Sequence, residues 1–109
     1  MRRYFFVLVI LSLLLAACAR TPQERAERFI KSGQGYFDKG KYKEAVIEFK
    51  NALQAEPNNL KARYKLALAY LNLRDVRSAY RELNIIVEKD PNFLNAQLTL
   101  GNILLTAGQ

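Results

Sequence analysis

Hydrophobic positions fall into two regimes along this chain. From Tyr4 to Ala17, fourteen residues run with Ser12 as the single polar member. From Ala26 onward the apolar residues are spaced three and four apart: Ala26, Phe29, Ile30, Gly33 and Phe37, then Ala45, Phe49, Ala52 and Leu53. Such steps put one apolar stripe on each of a series of helices. The stripes are separated by stop signals. "DKGKY" at Asp38–Tyr42 carries Gly40, a suitable helix terminator, while Pro57 and Pro91 cannot continue a helix and are followed by Asn residues that can cap the next one. The pattern predicts helices at 23–38, 42–55, 59–72, 76–89 and 93–107.

The stripes repeat. Laying 26–59 over 60–93 and then over 94–109 brings Tyr36 onto Tyr70 and Leu104, Ala45 onto Ala79, and Phe49 onto Leu83. It also brings Gly33 onto Ala67 and Gly101, Leu66 onto Leu100, and Glu56-Pro57-Asn58 onto Asp90-Pro91-Asn92. A period of 34 with a small residue, Tyr, Ala, a large apolar residue and Pro in this order resembles the tetratricopeptide repeat (TPR) family. The resemblance implies an all-α fold, a TPR α-solenoid of antiparallel helix hairpins, with two full repeats and the first helix of a third. Gly33, Tyr36, Ala45, Phe49, Ala52 and Pro57 stand in family places in the first repeat, and Ala67, Tyr70, Ala79, Leu83, Pro91 and Gly101 follow. Some positions depart from the pattern. Arg63 and Gln97 stand where Phe29 is bulky, Ser32 replaces a large apolar residue, Ile86 takes the small place of Ala52, and Arg74 takes that of Gly40. These departures are expected to weaken the packing of the second repeat.

In the family, the first helix of each repeat lines the inner surface of a curved superhelix that holds an extended peptide or a helix of a protein partner. That implies a groove lined by Ile30, Gln34, Phe37, Tyr64, Lys65, Leu68, Leu71, Leu98 and Asn102. Chaperone-tail TPR domains add a Lys/Asn/Arg clamp for a terminal carboxylate. Here Ile30 and Gln34 stand where the clamp would start with Lys and Asn, and Thr99 stands at a basic place, so the clamp is absent. The last helix, "FLNAQLTLGNILL", is apolar on more than one side, which raises self-association through it, or a longer repeat protein of which this chain is a fragment.

The first regime is a different kind of segment. Arg2 and Arg3, a short apolar stretch and small residues before Cys18 read as a secretory signal peptide. A 14-residue helix is about 21 Å long, short of a bilayer's hydrocarbon core of about 30 Å. "LAAC" at Leu15–Cys18 resembles the lipobox of bacterial lipoproteins, in which the Cys is lipidated and becomes the new N-terminus. A plain signal peptide and an uncleaved anchor remain alternatives. The resulting organisation is 1–17 signal peptide, 18–23 lipidated Cys and tether, and 24–109 repeat domain. Ala19 after the Cys resembles the outer-membrane class of Gram-negative lipoproteins, facing the periplasm.

Composition narrows the function. The 109 residues contain no His and one Cys, which excludes His-based acid–base pairs, Cys/His nucleophiles and a zinc site of usual ligand count. No metal, cofactor or enzymatic activity is expected. The net charge of +7 and the basic, Tyr-interleaved runs "KGKYK" and "LKARYK" admit nucleic acid, but an export signal favours an anionic membrane surface or acidic polysaccharide. The expected role is a membrane-anchored protein-interaction scaffold in envelope assembly, secretion or exopolysaccharide and protein sorting. "AVIEFKNALQAEPNN" most resembles the TPR lipoproteins beside exopolysaccharide export and PEP-CTERM sorting. A self-associating structural subunit, or part of a longer TPR-containing envelope enzyme, are the alternatives.

Overall fold

In the computed structural model, which describes residues 1–18 and 20–108, the chain forms six α-helices and no strand among those residues. They are α1 (Arg2–Cys18), α2 (Pro22–Asp38), α3 (Tyr42–Ala55), α4 (Leu60–Asn72), α5 (Val76–Lys89) and α6 (Leu94–Ala107). The five expected helices are all present, with three N-termini displaced by one residue. Local capping accounts for two of these. Thr21 Oγ1 accepts the Glu24 N–H at 3.1 Å with Pro22 in the first turn, and Asn59 Oδ1 accepts the Ala62 N–H at 2.9 Å, so α4 starts after Asn59.

Helices α2 to α6 pack in sequence order, each on the next. Each helix contacts the next most, and the first helices of successive hairpins also touch, as α2 does α4, so that each hairpin meets its neighbour as in a solenoid. Three buried clusters run along it. Ala26, Ile30, Ala52 and Ala62 form one; Ala45, Val46, Phe49, Leu66, Ala69, Tyr70 and Ala79 form the middle one; Ala67, Leu83, Ile86 and Ala96 form the last. Where α2 meets α3, Phe49 lies on Gly33. A Cβ there would stand 2.5 Å from the ring, so only glycine allows this approach.

The turns repeat as closely as the helices. The Tyr36 carbonyl accepts the N–H groups of Lys39 and Lys41 at 3.1 and 2.9 Å, and the Tyr70 carbonyl accepts those of Leu73 and Asp75 at the same distances. Both turns use a left-handed residue, Gly40 at φ 74° and Arg74 at φ 62°. The tertiary fold therefore holds an arginine in a conformation that L-residues reach at a cost of about 1–2 kcal/mol. Asp75 then caps α5, its Oδ1 accepting the Ser78 N–H at 3.1 Å, and its hydrogen bonds with Ser78 hold the carboxyl below its ordinary pKa. Lys41, its counterpart in the first repeat, makes no such bond.

Two departures that were expected to weaken the second repeat are compensated. Arg63 Nη1 pairs with Glu82 Oε2 at 2.6 Å, and its Nη2 donates to the Pro57 carbonyl at 3.1 Å. Gln97, one repeat later, donates to the Pro91 carbonyl. Polar bonds to the turn thus replace the aromatic bulk of Phe29. Ile86 fits because its neighbour is smaller: Phe49 beside Ala52 becomes Leu83 beside Ile86, and total volume is roughly kept. Ser32 is exposed because no earlier hairpin covers that face of α2, whereas Leu66 at the same place in α4 is buried between neighbours.

Helix α1 exposes nearly every apolar side chain described in it, including Tyr4, Phe5, Leu8, Leu11 and Leu15. No helix among the described residues is long and apolar enough to cross a membrane. Cys18 closes α1, but its side chain, like residues 19 and 109, lies outside the described part.

Candidate partner-binding groove

Because each hairpin turns back on itself, the odd members of the stack, α2, α4 and α6, present one common side. Between α2 and α4 this side forms a depression of about 650 Å³. Glu27, Arg28, Lys31, Gln34, Gly35 and Asp38 border it from α2, and Lys61 and Lys65 from α4, with Ile30 at its floor. Four cations face two carboxylates. Lys65 Nζ donates to Gln34 Oε1 at 2.5 Å, and Gln34 Nε2 donates to Asp38 Oδ1 at 2.8 Å, so a polar chain bridges the two helices.

Between α4 and α6 the surface changes character. The Tyr64 ring leans on Phe93 with centroids 5.6 Å apart, and its hydroxyl lies 3.3 Å from Thr99 Oγ1. Leu68 is half-buried there, and Leu98 and Asn102 are open to solvent. The groove is thus basic at its α2 end and neutral, largely apolar, at its α6 end; α6 carries no charged residue at all.

The nine residues expected to line the groove divide. Gln34, Tyr64, Lys65, Leu68, Leu98 and Asn102 stand on this side with accessible surface. Ile30 is 4% exposed and belongs to the buried cluster with Ala26 and Ala62. Phe37 and Leu71 pack against the middle cluster, and Phe37 also meets the Tyr42 ring edge-to-face at 5.1 Å. Ile30 therefore serves both the core and the groove floor, whereas Phe37 and Leu71 follow the first helix's register but pack toward the middle cluster. Lys31, Lys61 and Arg28 were not anticipated as lining residues. Their signal was present in the spacing, since Lys61 precedes Lys65 by one turn and Lys31 precedes Gln34 by three residues.

Among the described residues no cluster of His, Cys, Asp or Glu could hold a metal ion. What the groove offers is an open channel with directed cations and apolar patches, the form of a surface that receives another chain. The stacked hairpins and the open inner side define a helical-repeat interaction module.

The comparisons agree with this class. The tetratricopeptide repeat family model matches residues 36–103, and the chain belongs to that family. It is similar to the tetratricopeptide repeat and J domain-containing co-chaperone DNJ1 of Fusarium oxysporum, at 27% identity over 87% of this chain and 19% of that protein. It is also similar to Hsp70-Hsp90 organizing protein 3 of Arabidopsis thaliana, at 30% identity over 72% of this chain and 14% of that one. Among solved structures, the TPR2AB domain of yeast Sti1, in its complex with an HSP90 peptide, superposes with a TM-score of 0.73 at 26% identity, over 77% of this chain and 33% of that chain. The chain spans about a fifth or less of the length of these curated relatives.

Proposed function

We propose that this chain is a membrane-attached TPR lipoprotein whose groove holds an extended segment of a protein partner in a bacterial cell-envelope system. The observation that carries the binding half is the channel itself, with Lys31, Lys61 and Lys65 at one end and the open Leu98 at the other. A segment with acidic residues followed by apolar ones complements both ends. The HSP90 peptide belongs to the Sti1 complex and is not carried over. Position 30 here is a buried isoleucine, and the Thr99 hydroxyl is paired with Tyr64, so neither supplies a cation. Binding by shape and scattered polar contacts, with no catalysis, is the reading.

The membrane half rests on "LAAC" at Leu15–Cys18 and on the apolar helix before it. Lipidation of Cys18 followed by cleavage would leave a tether of a few residues and hold the solenoid close to the bilayer. Ala19 favours the outer membrane, facing the periplasm. Envelope assembly, secretion and exopolysaccharide or protein sorting are the systems such a scaffold would serve, with the PEP-CTERM-associated type preferred on "AVIEFKNALQAEPNN".

A photo-crosslinking residue placed at Lys61 or Leu98 should capture a discrete protein in membranes, and one placed at Ile47 on the outer helix α3 should not. Lys61→Glu with Lys65→Glu should abolish the groove capture. Equal capture from both faces would refute a specific groove. For the anchor, wild type should fractionate with membranes and Cys18→Ala should not; identical soluble behaviour of the two rejects it.

A second reading, a subunit that self-associates through α6, has its own support. Leu94, Leu98, Leu104 and Leu105 are exposed, and a Cβ on Gly101 would meet nothing within 4 Å, whereas the same place at Gly33 is filled by Phe49. Concentration-dependent sedimentation that disappears in Leu98→Gln/Leu105→Gln is its signature.

A further inference from the structure

Three arginines sit together where the apolar and folded parts of the chain meet. Arg20, Arg25 and Arg28 border one cavity of about 320 Å³, with the Phe29 ring, Ser32 and Glu48 completing its wall. Arg25 Nη1 donates to the Arg20 backbone carbonyl at 3.0 Å, which fastens the segment before α2 to that helix, and both residues line the same cavity. The ion pair found among the described residues is Arg63–Glu82, and none of these three arginines lies within pairing distance of a carboxylate. Glu48 is the one acidic side chain in the cavity wall. In the next repeat its counterpart Glu82 has Arg63 as a partner, but here that partner's place is taken by Phe29. Glu24 and Glu27 face an adjoining depression, which Arg20 and Arg28 also border. Within the cavity three guanidinium groups meet one carboxylate, Glu48, while Glu24 and Glu27 offset Arg20 and Arg28 only from the adjoining side, so the cavity itself favours an anion.

Chain connectivity says which anion is at hand. One residue separates Cys18 from Arg20, so the two Cα atoms, two steps apart along the chain, are at most about 7 Å apart whatever path residue 19 takes. If Cys18 carries lipid, or if α1 itself lies in the bilayer, Arg20 is at the depth of the headgroups, and Arg25 and Arg28 follow within the next two turns of α2. An anionic surface attracts basic residues at that depth by about 1 kcal/mol each.

The geometry points to a headgroup-phosphate site formed by Arg20, Arg25 and Arg28, which docks the first end of the solenoid onto anionic lipid. This rests on the membrane-attachment reading. It adds that the solenoid is oriented on the surface as well as tethered to it, with the groove cations Lys31, Lys61 and Lys65 on an adjacent side of the same end. A guanidinium suits the role because its planar fork can engage two phosphate oxygens at once.

The experiment uses the full-length chain and two kinds of vesicle, phosphatidylcholine alone and phosphatidylcholine mixed in equal parts with phosphatidylglycerol. Wild type should bind the mixed vesicles about a hundredfold more tightly, at roughly fivefold per arginine. Arg20→Gln/Arg25→Gln/Arg28→Gln should lose most of that gain while keeping its affinity for neutral vesicles and its thermal midpoint. Lys39→Gln/Lys41→Gln/Lys43→Gln, with the same loss of charge at the far end of α2, should keep the gain. Equal losses in the two triple variants would reduce the effect to net charge and overturn the site. Binding to neutral vesicles with no anionic gain overturns the site and spares the attachment, whereas no binding to either vesicle removes both. Inorganic phosphate alone, read by isothermal titration, should bind weakly; saturation at micromolar phosphate with no vesicle gain would make this a free-phosphate site instead.

Discussion

The two hairpins share a backbone and differ in what fills it. In the first, Phe49 covers Gly33, Ala52 is small, and Phe29 stands over an unpaired Glu48. In the second, Leu83 is next to Ala67, Ile86 replaces the small residue, and Arg63 reaches Glu82 and the Pro57 carbonyl. The turn hydrogen bonds nevertheless agree to within 0.1 Å, as at Tyr36 and Tyr70. The repeat therefore specifies volumes and turn geometry more strictly than chemistry. An aromatic contact can be exchanged for a largely buried ion pair provided that space stays filled; among the described residues Arg63 Nε is the one buried side-chain polar atom left without a partner.

The largest test removes the aromatic anchor. Phe49→Ala should destabilise the chain by about 3–5 kcal/mol in urea unfolding, because the ring is fully buried against Gly33 and the middle cluster. A loss under 1 kcal/mol would mean that the first hairpin is not held by it. The ion pair comes next. Glu82→Leu should cost about 2 kcal/mol, discounted from the value for a fully buried pair because both side chains keep some exposure. The double variant Arg63→Phe/Glu82→Leu, which replaces the pair by apolar side chains and borrows the aromatic residue of the first repeat, should recover most of that loss. A double variant as unstable as the single one would show that the pair's chemistry, not its volume, is required.

The glycines give a contrast of opposite sign. Gly33→Ala should destabilise by about 1–3 kcal/mol through overpacking on Phe49, whereas Gly101→Ala, with open space around it, should stabilise α6 by about 0.5–1 kcal/mol. Equal effects would contradict the close approach at Gly33. A smaller gain is expected from Arg74→Gly, which gives the second turn the residue of the first and relieves the positive φ, raising stability by about 0.5–1 kcal/mol in thermal unfolding.

The smallest effect concerns the cap that distinguishes α5 from α3. Hydrogen bonding to Ser78 lowers the Asp75 pKa in the folded chain, so its contribution is complete above the ordinary carboxylate range near 4 and is lost as the pH falls toward and below the folded value. Wild type should therefore lose slightly more stability on acidification than Asp75→Asn, whose side chain can still accept the Ser78 N–H. Parallel stability curves for the two proteins between neutral and acid pH would remove the cap from the account.

How much of this was readable in advance varies by residue. The helix ends were legible to within a residue because Gly40, Pro57, Pro91 and Asn59 act through local backbone preferences. The 34-residue period revealed the hairpins because each one buries the same face. The groove was only partly legible. Gln34, Lys65 and Leu98 follow from register, Ile30 is shared between core and groove floor, Phe37 and Leu71 pack against the core, and Arg28, Lys31 and Lys61 entered because α2 and α4 border one depression. The arginine cavity had no signature in spacing, since Glu48 comes to it from a helix some twenty residues further along the chain.

The order of residues by itself determined the elements, their period and the places where the chain turns, since these depend on side-chain stripes and on φ preferences acting over a few residues. The stacked structure alone decided that Arg74 would accept a left-handed turn, that Arg63 would find Glu82, and which apolar residues of α2 and α4 were spent on the core. Those outcomes are set by contacts between helices, and a contact across nineteen residues, such as Arg63 with Glu82, exists only once the neighbouring hairpin has closed.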